Sequence, residues 1–173
     1  MLRVPELELE WRFETDDLTA LLASPRAAEI RFHLNPRGSA EEAHRLLNSP
    51  HLGGVRTLDL TEVPADAELA AVLARAPGLR HLEVLKLGAP GSRDGPRIEE
   101  AGLRALATSP HLTRLRELEL FNSRITAEGE RALAASRVFA NLTRWNLYGN
   151  PIGDEGALAL AGSAHKAGSF TST

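Results

Sequence analysis

Shifting the C-terminal half of the chain by 27 positions lays it over a copy of itself. Leu115-x-x-Leu118-x-Leu120 falls on Leu142-x-x-Trp145-x-Leu147, and Ile125, Gly129, Leu133 and Ser136 fall on Ile152, Gly156, Leu160 and Ser163. The same step carries Ile98, Gly102, Leu106 and Ser109 onto Ile125, Gly129, Leu133 and Ser136. Upstream, Val55-x-x-Leu58-x-Leu60 maps onto Leu82-x-x-Leu85-x-Leu87. From Leu82 to Leu115 the step is 33, so six extra residues lie within 88–97. A unit this short cannot bury its own leucines, and only stacking on neighbours completes a continuous core.

Each unit divides into two elements. Leu-x-Leu alternates with the period of a short strand, its leucines on one face. A turn follows, then an amphipathic stretch such as Ala127-Glu128-Gly129-Glu130-Arg131-Ala132-Leu133-Ala134, which suits a helix. Small residues there, Gly129, Ala132, Gly156 and Ala159, are expected to let the helix lie close to the strand layer. Stacked units give an α/β architecture: a parallel sheet with one strand per unit and helices on its outer face. Composition agrees, because 29 leucines and 26 alanines dominate the 173 residues while aromatics make up 5%.

The N-terminal part is less regular. Glu6 to Phe13 alternates as a strand, and Thr15 or Asp16 is placed to cap a short helix through Leu22. Residues 1–25 therefore read as an N-terminal cap or atypical repeat, since solenoid ends must be covered. Ile30-Arg31-Phe32-His33-Leu34 predicts a further strand, and Ser39 to Leu47 a helix. Residues 26–162 hold about five units. Residues 163–173 are rich in Gly, Ser, Ala and Thr, offer no apolar cap, and read as a flexible tail.

The pattern Leu-x-x-Leu-x-Leu, followed by an isoleucine and a glycine-bearing helix, resembles the leucine-rich repeat family. Its period and helical second half are most similar to the ribonuclease-inhibitor-like branch. Leu142-Thr143-Arg144-Trp145-Asn146-Leu147-Tyr148-Gly149-Asn150-Pro151-Ile152 carries the likeness furthest, with Asn150 at the family's asparagine position. Ser123, Val63 and Pro90 stand at that place in other units, which argues against a regular asparagine ladder. The resemblance implies a leucine-rich repeat solenoid, a horseshoe with the parallel sheet on its concave face and helices on its convex face.

Catalytic and metal-binding constellations are missing from the sequence. Zero cysteine excludes disulfides, thiolate metal sites and a cysteine nucleophile. His51 and His111 recur in Ser-Pro-His-Leu turns, which gives them a structural reading, and no two histidines have ligand spacing on one helix face. The acid pairs Asp16-Asp17, Glu41-Glu42, Glu99-Glu100 and Asp154-Glu155 lie near predicted helix starts, where carboxylates complement the macrodipole. The glycine-rich insertion 88–97 lacks Gly-Lys-Ser/Thr and Gly-x-Gly-x-x-Gly, and no serine occupies a Gly-x-Ser-x-Gly elbow. Neither catalysis nor a metal or other cofactor is expected.

A net charge of −3 argues against a nucleic-acid footprint. No apolar run of signal-peptide or membrane-span length is present, so the expected location is cytoplasmic. Eighteen arginines against two lysines, with abundant alanine, suggest a GC-rich bacterial coding sequence.

Function then has to reside on the surface. The residues flanking the inward leucines face outward on the concave sheet. They form five rows: Arg31, His33, Asn35; Thr57, Asp59, Thr61; Val84, Lys86, Gly88; Glu117, Glu119, Phe121; and Arg144, Asn146, Tyr148. Two of the chain's six Phe and Tyr residues, Phe121 and Tyr148, fall at matching outward positions on strands about 4.8 Å apart. Trp145 replaces an inward leucine and is expected in the core. Aromatic anchors beside charges are common in interface hot spots, so Lys86, Glu117, Glu119, Phe121, Arg144, Asn146 and Tyr148 are the expected protein-binding residues. The leading expectation is a non-catalytic protein-interaction module. Alternatives are a regulator of a partner enzyme, inhibitory or GTPase-activating, and a structural fragment of a larger sensor or effector. A terminal repeat also leaves a strand edge open to a second copy of the chain.

Overall fold

The computed structural model describes residues 6–12, 20, 22–24, 31–37, 39–61, 63–88, 97–154, 158 and 169–171. Within them, strands β1 (Glu6–Arg12), β2 (Arg31–Arg37), β3 (Val55–Asp59), β4 (Val84–Gly88), β5 (Glu117–Phe121), β6 (Arg144–Asn146) and β7 (Ser169–Thr171) form one seven-stranded sheet. Its spatial order follows the chain order, and every adjacent pair is parallel. Parallel neighbours require a crossover after each strand. Helices α1 (Ala40–Leu47), α2 (Ala67–Arg75), α3 (Glu99–Ala107) and α4 (Ala127–Ala135) supply it within the four units where a helix is described between strands.

The repeat arithmetic reappears as strand register. Leu85 pairs with Leu118, and Leu118 with Trp145, so each unit's inward residue stacks on the next. Leu58, Leu60, Leu85, Leu87, Leu118 and Leu120 are all buried, and they join one core with Leu69, Leu73, Leu103, Leu106 and Leu133 from the helices. Burial of a leucine side chain contributes about 1.5–3 kcal/mol. Trp145 lies in the core as expected, its ring meeting Phe139 edge-on with centroids 6.1 Å apart.

Helix starts follow local chemistry. At α1, Ser39 and Glu42 form a reciprocal capping box: Ser39 N–H donates to Glu42 Oε2 at 2.7 Å, and Glu42 N–H donates to Ser39 Oγ at 3.3 Å. Asp66 Oδ1 accepts the Leu69 N–H at the start of α2. Glu41 and Glu42 occupy the first turn of α1, and Glu99 and Glu100 that of α3, where the acid pairs were expected.

One expectation needs revision. The helix glycines make room for their own unit's buried isoleucine and for the preceding helix, and not for the strands. A Cβ added to Gly102 would crowd Ile98 of its own unit and Ala67 and Ala70 of α2, and one on Gly129 would crowd Ile125 of its own unit and Leu103 of α3. Periodicity identifies the buried face but not which neighbours press on it. At the other end, Ser169–Thr171 pairs with Arg144–Asn146 as β7. Pairing gives the exposed amides and carbonyls of β6 partners that water would otherwise supply. Residues 89–96 of the insertion, residues 15–19 and 21 of the stretch expected to be helical, and Gly156, Ala159, Leu160 and Ser163 lie outside the described residues.

Candidate functional site

Strands β4, β5 and β6 carry all of the predicted binding residues except Tyr148 on the sheet face opposite the leucines. Their order is fixed by register: Lys86 pairs with Glu119, Glu119 with Asn146, Glu117 with Arg144, and Gly88 with Phe121. Cross-strand neighbours on one face lie close enough for their side chains to interact. Lys86 Nζ stands 3.6 Å from Glu119 Oε1, and Arg144 Nη1 is 2.8 Å from Glu117 Oε2. The result is an alternating patch of charge across three strands.

Glu119 is the most enclosed member, with 13% of its side chain exposed. Burial raises its carboxyl above the ordinary carboxylate range; Lys86 opposes that shift, while Glu117 and Asp59 reinforce it. Three acids with one intervening lysine make Glu119 the group whose charge is hardest to hold. Asp59 is engaged within its own turn, where Oδ1 accepts from Thr61 N–H at 3.0 Å and from Thr61 Oγ1 at 2.7 Å.

Phe121 ends β5, whereas Tyr148 lies in the turn beyond β6. The sequence treats the two as equivalent, but the structure makes them unequal. Phe121 is half-buried and Tyr148 is 48% exposed. The backbone still couples them: Asn122 N–H donates to Tyr148 O at 3.0 Å, and Asn146 Oδ1 accepts the Tyr148 N–H at 3.1 Å. On the other side of Phe121, Gly88 lets β4 and β5 lie close, for its φ is +88° and a Cβ there would overlap the Phe121 carbonyl oxygen.

Beneath the patch, Asn150 holds the turn. Its Nδ2 donates to Leu147 O at 2.8 Å and to Leu120 O at 2.6 Å, and its Oδ1 accepts from Ser123 N–H and Ile125 N–H of the previous unit. Residues 140–161, which include this turn, match the Leucine Rich repeat family model. The match supports a leucine-rich repeat protein. A comparison with curated proteins gives no match. Leucine-rich repeats generally mediate protein–protein interaction, and the family is typically non-catalytic.

Sequence reasoning overlooked how serines fasten one repeat unit to the next. Ser109 Oγ donates to Ala74 O at 2.6 Å and accepts from His111 N–H and Leu112 N–H. Ser136 repeats the arrangement, donating to Ala107 O at 2.6 Å and accepting from Val138 N–H and Phe139 N–H. The signal was present as a serine recurring at three helix-to-strand turns, Ser49, Ser109 and Ser136. In the Ser-Pro-His-Leu turns, the serine side chain and the histidine backbone make these bonds. Among the described residues, no group of three or more His, Cys, Asp or Glu side chains is arranged to hold a metal ion. No described helix is long and apolar enough to cross a membrane.

Proposed function

We propose that this chain is a protein-interaction module of the ribonuclease-inhibitor-like branch. In this reading it is a horseshoe that binds a protein partner on its concave sheet face. Lys86, Glu117, Glu119, Phe121, Arg144, Asn146 and Tyr148 form the contact surface, with Tyr148 as the protruding anchor. The observation that carries this reading is the exposure of Tyr148 directly beside a cross-strand lattice of opposed charges. An aromatic supplies contact area at small entropic cost, and the surrounding charges set orientation and partner choice. A preformed sheet also avoids most of the ordering entropy that association otherwise costs.

Affinity capture from the source organism's lysate, run in parallel with wild type and Phe121→Ala/Tyr148→Ala, tests this reading. Partners recovered by wild type and depleted at least tenfold by the double variant are the expected result. Equal recovery of every partner by both proteins removes the patch from consideration.

A further inference from the structure

A second surface lies where the chain enters its strands. Glu83 N–H donates to Arg56 O, Arg116 N–H to Glu83 O, and Thr143 N–H to Arg116 O, each at 2.8 Å. These four residues from successive units therefore form one rung along the sheet edge, with neighbours about 4.8 Å apart. Arg80 and Arg114 stand in the turns just before β4 and β5. The edge is rich in arginine, although the whole chain carries a net charge of −3. Acids gather instead at the helix starts beyond the opposite strand ends, as at Asp66, Glu99, Glu100 and Glu128.

The charges on this edge are unevenly matched. Glu83 Oε1 lies 3.8 Å from Arg56 Nε, and Arg56 Nη1 also donates to Gly53 O at 3.0 Å. Arg56 is thus already engaged. Arg80, Arg114 and Arg116 are exposed, and among the described residues no carboxylate forms an ion pair with them. Arg114 and Arg116 also line a polar depression of about 490 Å³ together with Glu83, Thr113 and Asn141.

We propose that this edge is a docking surface for an acidic polypeptide segment, whose Asp and Glu carboxylates pair with Arg80, Arg114 and Arg116. A guanidinium fork matches a carboxylate in two-point geometry, and Thr113 and Asn141 offer polar contacts to a peptide backbone in the same depression. Glu83 interrupts the row, which a continuous phosphate backbone tolerates poorly and a peptide with spaced acids accommodates. The named lining residues include no aromatic on which a base would stack. The surface is separate from the patch around Tyr148 and stands whether or not that patch binds a partner.

Fluorescence anisotropy with a labelled oligoglutamate peptide, at about 20 mM and about 150 mM salt, tests the proposal. Wild type binds, more weakly at the higher salt. Arg114→Glu/Arg116→Glu weakens binding by roughly tenfold or more, and the milder Arg114→Gln/Arg116→Gln by roughly threefold. Arg45→Glu/Arg124→Glu, which changes net charge equally at other positions, alters it by less than about twofold. Phe121→Ala/Tyr148→Ala binds the peptide as wild type does. Circular dichroism melts establish that each variant is folded. No binding by wild type overturns the proposal. Equal weakening by both charge-reversal pairs also does so, because net charge then explains the binding. Tighter binding of an oligothymidylate of equal charge would make the edge a nucleic-acid surface and likewise overturn it.

Discussion

Asn150 and Ser123 stand 27 positions apart in the chain, and the Asn150 carboxamide oxygen accepts the Ser123 backbone N–H at 2.9 Å. One side chain thereby closes its own turn and clamps the exit of the preceding strand. Ser123, at the equivalent place one unit earlier, donates to Phe121 O within its own turn. Buried Val63 occupies that place further back and has no side-chain polar group to offer. The asparagine bridge belongs to the last turn, beneath Tyr148.

Asn150→Ala should therefore destabilise the fold by about 3 kcal/mol, since it strands several backbone donors and acceptors at once. Denaturant titration gives the value. A loss below about 1 kcal/mol would mean that water replaces the carboxamide, and the bridge would then have little weight.

Ser109→Ala and Ser136→Ala should each cost about 1–2 kcal/mol, because each hydroxyl joins a carbonyl of the previous unit to amides of its own turn. Ser49 accepts from His51 N–H at 3.3 Å, and Ser49→Ala should cost less than either. Ala76 holds the corresponding place in the intervening unit without any hydroxyl. Thermal melts of the three variants rank them, and a Ser49 effect as large as that of Ser109 would refute the inter-unit account.

Much of this design was legible in the leucines. A constant offset fixes which residues stack, and stacking fixes a parallel sheet in chain order. The helix beginning at Ser39 was legible because the signals that start a helix act within four residues. The partner of Gly102 was not, since periodicity assigns a face but not the neighbour on it. Likewise, Phe121 and Tyr148 share a repeat position but differ in exposure because β6 ends at Asn146 while β5 runs on through Phe121. The arginine edge was hidden for another reason: its members come from turns of different units, and summing charge over the chain cancels them against the acids at the helix starts. The β7 pairing depends on the open edge of β6 more than on anything distinctive in Ser169–Thr171.

Gly88→Ala and Gly149→Ala form a discriminating pair. Both glycines have positive φ, +88° and +74°, so alanine is strained at either. At Gly88 the new Cβ meets the Phe121 backbone, which register holds in place; at Gly149 it meets the end of the Asn122 side chain rather than backbone. Gly88→Ala should cost about 3 kcal/mol or more and Gly149→Ala about 1 kcal/mol. Reversal of that order in denaturant titrations would show that the β4–β5 junction yields more easily than its pairing implies.

The pH dependence of stability separates two carboxylates by sign. Burial, with Glu117 and Asp59 nearby, raises the Glu119 carboxyl in the folded state, so the fold holds its proton more tightly than the unfolded chain does. Its contribution is greatest below the ordinary carboxylate value and falls as pH rises through the raised one. Glu100 behaves oppositely: the Thr126 hydroxyl donates to it at 2.7 Å and lowers its carboxyl. That contribution is present above the ordinary value and is lost as pH falls through the lowered one. Stability profiles measured from mildly acidic to neutral pH should then diverge. Glu119→Gln flattens the decline above the ordinary carboxylate value, and its stability relative to wild type improves toward neutral pH. Glu100→Gln weakens the fold at neutral pH and converges on wild type in acid. Parallel profiles for wild type and Glu119→Gln would mean that Lys86 offsets the burial of Glu119 completely, leaving the charge lattice on this face insensitive to pH.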